Sequence, residues 1–283
     1  MRLSTVIAAL VPVMGLLAGE EIFPAEFQKI EKLKPAEAAQ AYIDLAGKTK
    51  KPVQINAAYF AAVQKLILAK KYDEAQKLLD SIRDEQTKAA AAIDILFARR
   101  KFRELAEFAA KQPIESWQDS LRPDAVYKRA YANALVKKYD LAEKDIQAAV
   151  RFTANPAVKY EMIQKCAVLY ETMIRKPETE MKLLEQALAI PAEYTIPFYT
   201  CFIKCRYALL LAQSGKVDEG LKFLSDYKVD KAASRRARVQ STFAQIYLLK
   251  GDKKRAVECY QAAGQLYPPW KASYDKQIQA IGR

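Results

Sequence analysis

"LLKGDKKRAVECYQAAGQLYP", residues 248–268, holds the end of one helix, a turn and a second helix. An apolar helix arrives through Ala237, Phe243, Ala244, Ile246 and Tyr247. Gly251 then offers the left-handed residue that ends many helices. Asp252 is suited to cap the next helix start. Ala256, Tyr260 and Ala263 follow at spacings of four and three, which puts them on one helical face. Pro268 stops that helix.

The same grammar recurs upstream. Tyr207, Ala208, Leu211, Gly215, Gly220 and Leu224 repeat it, as do Val126, Ala130, Tyr139, Ala142, Ile146 and Ala149. Tyr59, Val63, Leu66, Tyr72, Ala75 and Leu79 give a further copy. Weaker copies centre on Pro35, Phe102 and Pro177. Turns placed at 35, 72, 102, 139, 177, 217 and 253 are separated by 37, 30, 37, 38, 40 and 36 residues. A period in this range is that of stacked helical hairpins.

The pattern resembles that of tetratricopeptide repeats over roughly residues 25–268. In residues 240–268, Gln240 stands at the tryptophan place, Phe243-Ala244 at the Leu-Gly pair and Tyr247 at the tyrosine. Ala256, Tyr260 and Pro268 then fall in order. The resemblance implies an all-α, right-handed α-solenoid of helix-turn-helix repeats. Residues 20–283 form one such array of about six to seven hairpins, closed by a capping helix over 268–281. In the cap, Trp270, Tyr274, Ile278 and Ile281 share a face, and loss of a fully buried Trp270 is expected to cost about 3–5 kcal/mol.

Composition agrees independently. Only 8 of 283 residues are glycine, none between Gly47 and Gly215, where a β-rich or phosphate-binding chain needs them. The prolines at 35, 52, 113, 123, 156, 177, 191, 197 and 268 all sit at inferred helix boundaries. Residues 112–123 are the loosest stretch, with room for a short extra helix.

The chain contains no histidine, which excludes Ser-His and Cys-His nucleophile systems. No phosphate loop or dinucleotide fingerprint is present. Carboxylate clusters at Glu178/Glu180/Glu185 and Asp140/Glu143/Asp145 read as solvated helix faces rather than acid–base pairs. No cofactor or metal is implied. Cys166, Cys201, Cys205 and Cys259 have irregular spacing for zinc and read as small apolar fillers, although in an exported chain Cys166 could bridge to Cys205.

Residues 1–19 read as an export signal: Arg2, then uncharged residues from Leu3 to Gly19, then Glu20 and Glu21. The implied location is periplasmic or secreted. The alternative is membrane contact through an anchor retained over residues 3–19.

The leading functional reading is a non-enzymatic scaffold that holds a protein or peptide in a groove lined by the first helix of each hairpin. Register with the best repeat puts Phe60, Gln64, Tyr127, Tyr131, Arg206, Leu209, Arg238, Ser241 and Gln245 on that groove. An RNA-binding array is the second reading, with Tyr127-Lys128-Arg129-Ala130-Tyr131 as a stacking and phosphate patch. The export signal and the mixed charge of most of the chain weigh against nucleic acid. A carboxylate-based enzyme acting on glycans or cell wall is the third. Charge is uneven: residues 201–283 hold 16 Lys and Arg against 7 Asp and Glu, of a whole-chain net of +13. Lys231, Arg235, Arg236, Arg238, Lys250, Lys253, Lys254 and Arg255 form a basic patch suited to an acidic partner.

Overall fold

A computed structural model describes residues 24–282, and the proposed export segment lies outside them. Among the described residues there is no strand. Within the described residues fifteen α-helices follow one another: α1 (Pro24–Ile30), α2 (Pro35–Lys48), α3 (Pro52–Leu68), α4 (Tyr72–Leu78), α5 (Glu85–Ala98), α6 (Phe102–Ala110), α7 (Arg122–Leu135), α8 (Tyr139–Phe152), α9 (Pro156–Leu169), α10 (Pro177–Leu188), α11 (Pro197–Gln213), α12 (Val217–Ser225), α13 (Ala233–Leu249), α14 (Lys253–Leu266) and α15 (Lys271–Ile281). They form an all-α array of helical hairpins. The second helix of each hairpin begins at residue 35, 72, 102, 139, 177, 217 or 253, the positions at which the sequence places the turns. No helix among the described residues is long and apolar enough to cross a membrane.

The described residues divide into two compact units, 24–153 and 154–282. Unit 1 contains α1–α8. Its core includes Tyr42, Val63, Ile93, Leu105, Ile114, Val126 and Ile146. Within it the first helices α3, α5 and α7 pack in succession, each carrying its partner. Residues 114–116 form a single 3-10 turn that buries Ile114 and precedes buried Trp117. Unit 2 contains α9–α15 with Tyr160, Ile163, Leu184, Ile203, Leu224 and Ile246 buried.

The turns follow from local chemistry. Proline supplies a preset φ at the starts of α2, α3, α9, α10 and α11, where its missing N–H is no loss. The first helix of most hairpins ends in a left-handed residue: Lys70, Arg100, Lys137 and Arg175 with φ of 57–63°, Gly215 at 91° and Gly251 at 82°. At Lys70 the paired hydrogen bonds of a Schellman motif close the turn, Lys70 N to Ile67 O at 2.9 Å and Lys71 N to Leu66 O at 2.8 Å. The turns at Arg100, Lys137, Gly215 and Gly251 repeat this pairing. The least regular hairpin, α9–α10, closes instead through a wide turn over 170–174, with Arg175 N bonded to Tyr170 O. At the last turn Asp252 accepts from Arg255 N at 3.0 Å and caps α14.

Small side chains set how closely hairpin helices approach. Ala75, Ala142 and Ala256 occupy equivalent places on second helices and are fully buried. Gly220 takes that place on α12, where a Cβ would stand 2.6 Å from the backbone oxygen of Ala208 on α11. Gly220→Ala is therefore expected to destabilise by about 1–3 kcal/mol, read as a lower urea midpoint at unchanged slope.

Two expectations are corrected, and the reading of the cysteines as free holds. Trp270 ends a short 3-10 turn before α15 instead of lying on its apolar face; it is 37% exposed and packs edge-on against Tyr267 at 4.8 Å. Tyr274, one turn on, is the buried capping ring and stacks on Tyr260 at 5.9 Å. Trp270→Ala thus falls short of the loss assigned to full burial. Glu180 and Asp145 are buried, not solvated, because arginines from neighbouring helices reach them. All four cysteines are free: Cys201 and Cys205 face each other across one helical turn with sulfurs 4.0 Å apart, and burial pushes the Cys166 thiol up to about 12.

Candidate functional site

In unit 2, four helices line a shallow cavity of about 430 Å³. Three of them contribute residues one helical turn apart, the spacing that keeps side chains on one face. Leu209 and Gln213 come from α11, Ser241, Gln245 and Leu249 from α13, and Ser273 and Gln277 from α15. Leu248, Tyr260 and Tyr274 complete the lining. Three residues assigned to the groove from sequence, Leu209, Ser241 and Gln245, meet here.

The cavity has a defined chemistry. None of its lining residues is charged. Gln213, Gln245 and Gln277 carry amides that both donate and accept, as peptide groups do. Gln245 and Ser241 stand near the hydroxyls of Tyr260 and Tyr274, and Ser241 Oγ donates to Arg238 O at 2.9 Å. Burial holds both phenols above their ordinary range, so they stay neutral donors at physiological pH. Leucine side chains supply the apolar part.

The other groove candidates lie elsewhere. Arg206 makes a bidentate pair with Glu180, Nε to Oε1 at 2.6 Å and Nη2 to Oε2 at 2.7 Å, and approaches Glu171 at 3.6 Å. Arg238 sits over the Phe202 ring at 5.6 Å. In unit 1, Phe60 and Tyr127 are core residues. Tyr131 is half-buried among rings, 5.1 Å from Phe97 and 5.4 Å from Phe102. Gln64 reaches toward Asp94 at 3.5 Å.

The Tyr127–Tyr131 segment does not form a phosphate patch. Lys128 is buried between Asp94 and Asp124. Its pKa is raised although burial opposes the charge, because both carboxylates favour the ammonium. Arg129 is buried and donates to Asp145 through Nη2 at 2.8 Å, with Glu115 beside it and Asn133 completing the Asp145 shell at 3.1 Å. Glu180 and Asp145 are likewise held by arginines, which leaves neither available as a free acid or base. The sequence reading missed Asp94 and took Lys128 for a phosphate contact, because nothing local distinguishes a buried helical ion pair from a solvated one.

The C-terminal basic patch is partly neutralised. Arg235 pairs with Asp230 at 2.7 Å, Lys250 with Asp218 at 2.7 Å and Arg255 with Asp252 at 3.4 Å. Lys231, Arg236, Lys253 and Lys254 are exposed.

No family model matches the chain, and no curated protein matches it in sequence. Solved structures do match in shape. A tetratricopeptide repeat protein from Parabacteroides merdae aligns at a TM-score of 0.52 and 13% identity, covering 91% of this chain and 96% of that one. PilF of Pseudomonas aeruginosa aligns at 0.51 and 13% identity, covering 81% and 98%. At these identities the likeness is one of fold, an array of the tetratricopeptide type.

Proposed function

From this tetratricopeptide-type array we propose an exported, non-enzymatic interaction scaffold whose unit 2 groove holds a peptide segment of a partner protein. The uncharged groove carries the reading. Its amides and hydroxyls match the donors and acceptors of an extended peptide backbone, and its leucines receive apolar side chains. The test uses a displayed library of random peptides against the full chain and against Gln213→Trp. Gln213 is exposed, so the indole fills the groove without entering the core. The wild type is expected to enrich a common motif, and the variant to bind the winning peptide at least about tenfold more weakly at unchanged Tm. Failure to enrich any motif, or equal binding by the variant, would overturn the groove reading. Export is tested separately by mass spectrometry of the native protein. The reading expects an N-terminus near residues 19–20, and an intact Met1 in a soluble cytosolic fraction would end it.

A further inference from the structure

Three successive turns of unit 1 share an unusual choice. Lys70, Arg100 and Lys137 each adopt the left-handed conformation, with φ of 60°, 59° and 63°. Glycine takes this position without strain, as Gly215 and Gly251 do in unit 2. A cation near a helix C-terminus gains from the helix dipole. The next residue already provides that cation without strain, since Lys71, Lys101 and Lys138 follow in each turn. The left-handed cations are therefore not explained by folding alone.

Their surroundings point to a ligand. Lys70 and Arg100 line one recess of about 510 Å³ between the first two of these turns, with Lys71, Tyr72, Arg99 and Lys101. Lys71 pairs with Glu74 at 3.0 Å and Lys101 with Glu104 at 3.0 Å. Arg99 pairs with Asp73 and lies over the Tyr72 ring at 5.8 Å. Lys70, Arg100 and Lys137 are exposed and make no ion pair among the described residues. The groups held in place form the walls, and the strained ones remain available.

We propose that this turn edge of unit 1 docks an acidic peptide segment of a protein partner. Carboxylates spaced along a chain can reach Lys70 and Arg100 in this open recess while staying clear of Asp73 and Glu74. A continuous anionic lipid surface would press against both of those acids as well. Single-stranded RNA would need a stacking platform, but the one ring in the recess, Tyr72, already carries Arg99 over it. The proposal does not rest on the unit 2 groove.

The test measures fluorescence anisotropy of a labelled peptide, Asp and Glu spaced by Gly and Ser, on the full chain at low and high salt. The wild type is expected to bind it, more weakly as salt rises. Lys70→Gly/Arg100→Gly/Lys137→Gly is expected to weaken binding by about tenfold without lowering Tm, because glycine suits all three positions. Lys231→Ala/Lys253→Ala/Lys254→Ala removes equal charge in unit 2 and is expected to bind as the wild type does, as is Gln213→Trp. The proposal is overturned if the wild type does not bind or the glycine variant binds equally. It is also overturned if the unit 2 charge variant loses as much, which would mean net charge alone. Loss in Gln213→Trp would place the acidic peptide in the groove instead. Tighter capture of phosphatidylglycerol vesicles or single-stranded RNA, lost in the same glycine variant, would replace the peptide as occupant.

Discussion

Lys128→Ala is expected to destabilise the protein by about 3–5 kcal/mol, because it strands a buried carboxylate. Lys128 is 4% exposed, and its ammonium bridges Asp94 and Asp124. Burial raises the pKa of Asp94, and Lys128 is the principal group opposing that rise. Without the lysine, Asp94 keeps only the long contact from Gln64 at 3.5 Å. A domain of this size is stable by about 5–15 kcal/mol, so the loss is a large share and should lower Tm by about 10 °C. The lysine pKa lies above its ordinary 10.5, so its contribution is complete at neutral pH and is lost only as strong alkali deprotonates it. The double substitution Asp94→Leu/Lys128→Met removes both buried charges and should recover most of the loss. Urea unfolding of the three proteins checks this. A single variant within about 1 kcal/mol of the wild type would show that water reaches Asp94 freely.

Arg206→Ala should cost a similar amount at pH 7, about 3–5 kcal/mol, and the deficit should shrink on acidification. Glu180, with a side chain 1% exposed, accepts both arms of the Arg206 guanidinium. Burial raises its pKa above the ordinary 4.5, and Arg206 holds that rise back. Removing the arginine raises the folded pKa further. As pH falls from 7 toward 5, the folded variant takes a proton on Glu180 before the unfolded chain does, which relieves the buried charge and favours the fold. The gap between wild type and variant therefore narrows. A gap that widens with acid would show that Arg206 acts through some other contact. The outcome also separates two roles for Arg206: a groove residue would alter peptide binding at constant stability, whereas a tie to Glu180 alters stability first.

The helical hairpins were legible because their signals are local. A proline at a first helical turn, an aromatic before the small residue, and a left-handed residue at the turn each act within a few residues of themselves. The seven second-helix starts consequently fall at the predicted positions. The left-handed turns were read correctly at Gly251 and passed unseen at Lys70, Arg100 and Lys137, where a basic residue gives no sign of positive φ.

Helix positions, turn positions and the small residues at hairpin crossings follow from local sequence, since backbone geometry and i, i+4 spacing are set within one segment. Which polar side chains are buried and which rings are exposed depends on packing between helices. Glu180 and Asp145 look like ordinary helix-surface acids, but arginines brought in by packing enclose them. Trp270 looks like the anchor of the cap, but the 3-10 turn moves it off the apolar face and leaves Tyr274 in that place. The groove is of the same kind: Leu209, Ser241 and Gln245 could be named from register, but Gln277 and Tyr274 join them only because α15 folds back on α14. Burial is a property of neighbours distant in the chain, and no single helix encodes it.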